Sequence, residues 1–510
     1  MRNIMVINMG LKSVRCIIFS VEGLKLGSAS EPIKTAINDK CVEQNPDEWW
    51  NKVLCVMKKA IKDAGIRKVD FTTVTASASC LACIDEMGNA LMPALMVSDK
   101  RAYDEVRELG QMAAFKQIKE QTGLDASSSL MIPKIMWVKR NRPDVFEKTK
   151  FFLSPNDYLV YKLCGIAITD YLNAMKYHYI VEKKSYPIDL LNELGIPSSK
   201  LPKVEMTGQE TGCIKGDIAD EVGITRDTKV ILSSYDAICS FIGSGVTEEG
   251  DSSDVSGTVT VFRTLSRKKE IGKNEEIYNV PFYQDDARIL GGSNNLGGGL
   301  IEWVKQCYYQ KEEYPYEIME KDARESQVGA RGLIFLPYLL GERTPLWNDA
   351  ARGVFFGLER MHTRKDMTRA VFESTGFIDM DFIEAIEQTG VKVNTIRFSG
   401  GGARINLIAQ IKADILNRDL LVLSEFETTA TGAAIIALTG QGVYESIKSA
   451  VDKFVMVRMI IIPNKENHKK YEYMYHLYKD TYESLKELFI RRVEILEKIR
   501  DDKEVKIENL

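Results

Sequence analysis

The stretch from Lys229 to Phe262 limits the folds open to this chain more than any other, because it packs four structural signals into 34 residues. An apolar run, Val230-Ile231-Leu232, and two serines lead into Tyr235-Asp236-Ala237; a second apolar segment, Ile238 to Ile242, stops at Gly243-Ser244-Gly245. That order predicts a strand, a tight turn and a helix ended by glycine. Asp236 then lies beside a helix N-terminus at the end of a strand, where open α/β sheets put their chemistry. The same aspartate would also serve as a plain helix cap. After a polar link (Thr247 to Asp251) the residues Asp254 to Phe262 alternate as a strand, interrupted by Ser256-Gly257-Thr258. A glycine flanked by hydroxyls suits close approach of an anion to the backbone, and it equally suits an ordinary β-turn.

Comparable junctions recur along the chain. Residues 4 to 19 read as two apolar runs around a polar turn, a hairpin with Gly10 at its bend and Lys12, Ser13 and Arg15 giving it a basic character. An N-terminal hairpin of this kind is how actin-like ATPases wrap nucleotide phosphates. The run Gly291 to Gly299 precedes an apolar helix containing Trp303, which suits phosphate or ribose contact through backbone N–H groups; it lacks the lysine-serine pair of a P-loop. Ile396 leads a strand into Gly400-Gly401-Gly402-Ala403, then Asn406 and a helix through Leu416. Glu427 to Ala434 opens another apolar helix rich in small residues. Near the front, Asn45-Pro46-Asp47 caps a helix bearing Trp49-Trp50. Ser98-Asp99-Lys100-Arg101 reads either as a cluster for polyol hydroxyls or as a helix start.

At 510 residues the chain is too long for one core, so two or more domains are expected. A net charge of −4 excludes a typical nucleic-acid or acidic-membrane binder. No segment has the length of a transmembrane helix, and the apolar N-terminal run is too short for a signal peptide. Nine scattered cysteines point to reduced thiols and a cytoplasmic protein. Cys80 and Cys83 form one CxxC without a second pair, in a β-like run, and read as buried thiols.

The residues 332 to 373 carry the most specific pattern. Gly353-Val354-Phe355-Phe356-Gly357-Leu358, Asp366-Met367 and Ala370-Val371-Phe372-Glu373 resemble the second signature of the FGGY carbohydrate kinases. Gly341-Glu342-Arg343-Thr344-Pro345, the triplet at 400–402, Glu43-Gln44, Pro46, Trp49-Trp50, Asp99, Arg101 and Lys134 with Trp137 agree in type and order. The likeness runs from about residue 4 to about 488 and is greatest to the xylulokinase-like branch. It implies an actin-like (ribonuclease H-like) α/β ATPase fold with two domains around a nucleotide and sugar cleft. The expected division is an N-terminal domain over 1–250, a C-terminal domain over 251–463 and a helical extension over 464–510. Asp236 matches the family's catalytic base, which takes the proton of a sugar hydroxyl as the γ-phosphoryl of ATP is transferred. Ser256-Gly257-Thr258 matches the second phosphate loop. Gly298, Gly400, Gly401, Gly402 and Ala403 match positions around the nucleotide, with Asn406 beside the adenosine. Gly10, Lys12, Ser13 and Arg15 form the first phosphate hairpin. Ser77, Ala78, Ser79, Asp99, Arg101 and Asp236 form the sugar side. Mg²⁺ is the implied metal, near Asp236 and Asn8.

Three positions depart from the family pattern. The first phosphate loop has Asn8, Gly10 and Leu11 where relatives carry aspartate, glycine and threonine, so one charge and one hydroxyl are lost; Lys12 and Arg15 are expected to compensate in part. Ser77-Ala78-Ser79-Cys80 replaces the Gln-Met-His-Gly run of xylulokinases. Val97 stands where many relatives have tryptophan. The leading expectation is ATP-dependent phosphorylation of a ketose or polyol. Two alternatives stay open on sequence: a sugar- or nucleotide-binding relative that transfers phosphate poorly, and an ATPase whose output is conformational. From Asn464 to Arg500, Tyr471, Tyr475, Tyr478, Tyr482, Leu485, Phe489, Val493 and Leu496 recur at helical spacing. That stripe predicts a helix docked on the second domain, or the seam of a homodimer.

Overall fold

The computed structural model describes residues 2–282, 287–424 and 427–508, the side chains of 500–508 excepted. The chain forms two compact units, Met1–Gly245 with Glu427–Val455, and Val246–Phe426 with Met456–Leu510.

The first unit is built on strands β1 (Asn3–Met9), β2 (Ser13–Ser20), β3 (Lys25–Pro32), β4 (Phe71–Ala76), β5 (Glu210–Cys213) and β6 (Lys229–Leu232), in the order β5-β6-β4-β1-β2-β3. β1, β2 and β3 run as an antiparallel meander, while β4 and β6 join β1 in parallel. β1 and β4 are buried on both faces, which is why they read as continuous apolar or threonine-rich runs rather than alternating ones. The helix Pro46–Ala64 covers the β2–β3 side. It starts where the Asn45 side chain accepts from the Asp47 N–H and stops at Gly65 in the left-handed region.

The segment 427–455, expected with the second domain, packs in the first unit. The reason lies in small residues. The helix Thr428–Gly440 meets the helix Asp236–Gly243 so closely that a Cβ on Gly243 would overlap the Thr428 carbonyl, and one on Gly432 the Cys239 carbonyl. Only glycine at both positions permits that approach.

The second unit carries β7 (Ser252–Ser256), β8 (Thr260–Ser266), β9 (Tyr278–Pro281), β10 (Arg288–Ser293), β11 (Ile396–Gly400), β12 (Leu420–Leu423) and β13 (Val457–Ile461), in the order β9-β10-β8-β7-β11-β12-β13. β7, β8 and β10 are antiparallel neighbours, and β11 and β12 continue from β7 in parallel. The central five strands therefore repeat the β3-β2-β1-β4-β6 pattern of the first unit. In each unit the opening hairpin turn stands next to the strand that starts the parallel half. The helix Arg364–Glu387 crosses the core of this unit, entered through a capping box in which Thr363 and Asp366 satisfy each other's backbone N–H groups.

The helix Lys465–Glu508 docks on the second unit. Tyr471, Tyr475, Tyr478, Tyr482 and Phe489 are buried there, and the Tyr471 and Tyr475 hydroxyls donate to Glu373 and Asp381, each at 2.8 Å. The stripe fails past Phe489: Leu496, expected on the docked face, is exposed together with Ile495 and Ile499, because no described element reaches that part of the helix. Among the described residues no helix is long and apolar enough to cross a membrane.

Candidate active site

In the first unit the site assembles around Asp236. β6 ends at Leu232, and Ser233 and Ser234 anchor the following turn. Ser233 Oγ donates to the Val74 carbonyl at 2.6 Å and Ser234 Oγ to Asp170 Oδ1 at 2.9 Å. Tyr235 is extended and caps the helix, so Asp236 is its first residue, facing the positive end of the helix dipole. Its Oδ2 accepts from Ser77 Oγ at 3.0 Å. Ser77 follows directly on β4, and its N–H donates to the Met9 carbonyl at the end of β1 at 3.1 Å. Asn8, buried in β1, lies one residue from that contact. The structure thus joins Ser77 and Asp236 directly.

Ser79 takes a left-handed conformation with φ of +64°, and Ala78 beside it is half-buried. Asp99 is buried. Its carboxylate accepts from the Val42 N–H at 2.7 Å and from Arg101 Nε at 2.9 and 3.0 Å. Arg101 also meets Glu43 at 2.7 Å and lies 4.9 Å over the Trp137 ring. The next helix starts only at Tyr103, without a side-chain cap, so Asp99 is no helix cap. Cys80 and Cys83 are buried, and burial pushes their thiols up to about 11 and about 12.

The first hairpin closes with the Gly10 N–H donating to the Ser13 carbonyl at 3.0 Å. A Cβ on Gly10 would meet nothing nearer than 3.8 Å, so its backbone faces open space. Leu11 is exposed at the tip, and its carbonyl accepts from Gln44 at 2.8 Å. Arg15 does not point a free charge at this turn: its guanidinium is gripped by both oxygens of Glu427 at 2.8 Å. Of the basic residues expected to compensate for Asn8 and Leu11, Lys12 is therefore the better placed.

The second unit holds the other hairpin, between β7 and β8. The Gly257 N–H donates to the Val259 carbonyl at 3.0 Å, and the Thr258 carbonyl accepts from Gly297 at 3.0 Å and Gly299 at 3.1 Å. Asn294 closes the base of the loop, its Oδ1 accepting from the Thr260 N–H at 2.7 Å. The glycines here divide into two kinds. A Cβ on Gly298 would strike the Gly257 carbonyl, one on Gly400 the Ser256 carbonyl and one on Gly402 the Ser256 side chain, so these three are needed for the chain to pack on itself. Gly400 moreover has φ of +89°. Gly257 and Gly401 meet only a carbonyl at 3.7 and 3.9 Å, so their bare backbones face outward, where an anion or a flat ring can lie against them. Ala403 is buried, and its carbonyl, like Asn406 Oδ1, accepts from Arg458.

Several supporting residues were given no role in the sequence reading. Glu342 Oε1 accepts from the N–H groups of Asn295 and Arg343 at 2.9 and 2.8 Å, and burial pushes its carboxyl up to about 7. Thr344 Oγ1 accepts from the Ser293 N–H at 2.7 Å. The 341–345 run therefore holds the glycine segment that in turn holds the second hairpin. Asp170 and Lys176, whose ammonium stands 4.9 Å over the Tyr235 ring, support the Asp236 turn. The 341–345 run stood out in the sequence as part of the resemblance; nothing in the sequence marked Asp170 or Lys176.

An opening hairpin in each unit, followed by a parallel half of its sheet, with an acid at a helix N-terminus in the first unit, fits an actin-like phosphotransferase fold. Comparison with known proteins makes the assignment specific. Residues 3–243 match the FGGY family of carbohydrate kinases, N-terminal domain, and residues 254–440 match its C-terminal domain; the chain belongs to this family. It is 26% identical to the xylulose kinase of Bacillus subtilis over 96% of this chain and 98% of that protein. It is 25% identical to the gluconokinase of the same organism over 88% and 89%. The solved gluconate kinase of Lactobacillus acidophilus superimposes with a TM-score of 0.86 at 24% identity, covering 95% and 98% of the two chains. The fold is thus the two-domain actin-like, ribonuclease H-like fold of these kinases. The chain is an ATP-dependent carbohydrate kinase, and nothing among its relatives supports a non-catalytic binding protein.

Proposed function

We propose that this kinase phosphorylates a hydroxyl of a ketose or polyol, with Asp236 as general base. The observation that carries the reading is the Asp236–Ser77 hydrogen bond at 3.0 Å, which fixes a carboxylate at a helix N-terminus beside the turn facing the acceptor. In this reading Asp236 takes the proton of the acceptor hydroxyl as that oxygen attacks the γ-phosphorus of ATP, the bond to the bridging oxygen breaks and ADP leaves. Ser77, Ala78 and Ser79, with the Asp99–Arg101 pair, meet the other hydroxyls. The outward backbones of Gly10, Gly257 and Gly401, with Lys12, Ser13, Ser256 and Thr258, receive phosphates and nucleotide, and Gly298, Gly400, Gly402, Ala403 and Asn406 shape that surface. Arg15 acts from a distance, through its pair with Glu427. Mg²⁺ bound to the nucleotide would neutralise charge on the phosphates during transfer. The buried Asn8 amide and the Asp236 carboxylate, linked through Met9 and Ser77, fit an ion held chiefly by phosphates and water rather than by a cage of protein carboxylates.

The replacement of a Met-His pair by Ala78-Ser79 makes the acceptor side smaller in side chain and less basic, so xylulose is not expected to be the best substrate. The protein acts in the cytoplasm in this reading, and the exposed face of the Lys465–Glu508 helix past Phe489 suits a homodimer.

The test is an ADP-release assay across ketopentoses, ketohexoses and polyols, with Mg²⁺ and Mn²⁺, run on the native enzyme and on Asp236→Asn. The variant is expected to lose turnover by roughly 10²–10⁴-fold with little change in sugar affinity. Equal kcat in the two proteins removes Asp236 from the mechanism, and a clear lead of xylulose in kcat/KM overturns the acceptor assignment.

A further inference from the structure

Lys134 is fully buried on the helix Met131–Asn141, yet among the described residues no carboxylate lies within ion-pair distance of it. Its Nζ donates instead to two backbone carbonyls, Ser79 at 2.5 Å and Met96 at 2.7 Å. An ammonium taken out of water without a counter-ion is expensive, and a chain keeps one only where its bonds are needed. Both acceptors are informative. Ser79 carries the left-handed φ of +64°, a strained conformation for a residue with a side chain, and it stands two residues after Ser77, the partner of Asp236. Met96 leads into Asp99 and Arg101. One turn further along the same helix, Trp137 lies under the Arg101 guanidinium at 4.9 Å. A single helix face thus braces the turn that holds the base's partner and the segment that holds the acid–base pair.

We propose that Lys134 is a positioning residue for phosphoryl transfer: its ammonium ties the Ser77–Cys80 turn to the Met96 segment and so sets the acceptor sugar's two sets of partners at a fixed separation. It touches neither substrate nor reacting atoms. The proposal rests on the assignment of Asp236 as base and of residues 77–79, 99 and 101 as the sugar side. The groups facing the ammonium are Cys80 on the turn and Asp99 and Arg101 beyond Met96; burial lowers Lys134 to about 8, with Cys80 and Asp99 opposing that shift and Arg101 adding to it.

The test compares Lys134→Met and Lys134→Ala with the native enzyme on its best sugar. A positioning role raises the sugar KM and lowers kcat/KM for the sugar by about tenfold or more, while the KM for ATP stays within about twofold. Lys134→Ala should regain sugar kcat/KM in the presence of n-propylammonium, which replaces the missing stem and charge, but not with n-propanol. A sugar KM and kcat/KM within about threefold of native, equal losses toward sugar and ATP, or no amine rescue overturns the proposal. Asp236→Asn, run alongside, separates the two levels. If that variant keeps native turnover, the acceptor-site reading is what fails; if it is inactive while Lys134→Met behaves as native, the positioning role alone fails. If neither Lys134 variant folds, the native pH profile decides. Loss of the ammonium's proton through about 8 should lower sugar kcat/KM with the ATP KM steady, and a flat sugar profile from about pH 7 to 9.5 overturns the proposal.

Discussion

Asp170 shows how much of this site depends on a single residue without solvent contact. It is fully buried; its Oδ1 accepts from the N–H groups of Leu172 and Asn173 and from Ser234 Oγ, and its Oδ2 has no hydrogen-bond partner among the described residues. Burial, with a smaller contribution from Asp157, pushes its carboxyl from 3.8 to about 7, against the pull of those donors. Between those two values the folded chain keeps a proton that the unfolded chain has shed. The proton favours the folded state less and less as pH rises, so this residue makes stability fall from about pH 4 to about pH 7 and contributes no further change above. Asp170→Asn imitates the protonated form and keeps the helix cap. The variant should match or exceed native stability at pH 7.5, and its urea midpoint should fall less between pH 5 and 7.5. An unchanged slope in Asp170→Asn would mean the native carboxyl is already ionised at pH 5. Nothing local announces this, because the packing that buries Asp170 and the Asp157 charge that adds to its effect belong to other elements.

At the scale of elements, the second hairpin is held from below by an ion cluster. Lys412 Nζ meets Asp254 Oδ2 at 2.5 Å and Asp379 Oδ2 at 2.6 Å, and all three side chains have no solvent exposure. Asp254 is two residues ahead of Ser256 on β7, Asp379 lies on the Arg364–Glu387 helix, and Lys412 lies on the helix Asn406–Leu416 that follows the glycine triplet. Three elements next to the proposed nucleotide surface are thus tied at one point. Two buried acids share one cation, and burial together with Asp254 drives Asp379 strongly toward its protonated form. Asp379→Asn should therefore cost under about 1 kcal/mol, whereas Lys412→Met strands a buried carboxylate and should cost about 3–5 kcal/mol. Urea unfolding followed by circular dichroism compares the two, and a Lys412→Met cost no larger than that of Asp379→Asn would sink the account. The strand–glycine–helix junctions themselves were readable in the sequence because their signals are local: Leu232 to Gly245, Ile396 to Leu416 and the Gly10 bend all fold as their own residues dictate. Which glycine faces outward was not readable. Gly400 and Gly401 are neighbours, yet one is fixed by the Ser256 carbonyl and the other is open, a difference made by a strand about 150 residues earlier. The grip of Glu427 on Arg15 spans 412 positions and left no local trace either.

For the whole molecule, the repeated strand order gives each unit an opening hairpin turn, and these two turns are chemically unequal. The second offers the exposed Thr258 beside an outward-facing glycine, with the buried Ser256 behind them, and Glu342, Asn294 and Thr344 brace it through the 293–299 segment. The first has Gly10 equally open but puts an exposed Leu11 at its tip and a neutral Asn8 at its base, and Arg15 is committed to Glu427. In the proposed reading the second turn carries more of the polar contact to phosphate, and Lys12 is the main charge that the first turn can offer. Restoring an acid and a hydroxyl, Asn8→Asp with Leu11→Thr, should raise kcat at fixed Mg²⁺ by about tenfold, equivalent to roughly 1.4 kcal/mol of barrier. The KM for ATP should change little, because the glycine surface of the second unit is untouched. Removing the hydroxyl from the stronger turn, Thr258→Val, should cost more than the double substitution gains. Steady-state kinetics across a Mg²⁺ titration measures all three proteins. A double variant no faster than native at any Mg²⁺ concentration would show that Lys12 already supplies what the first turn lacks. A Thr258→Val enzyme with native kcat would show that the Thr258 hydroxyl takes no part in transfer and would overturn the weight given to the second turn.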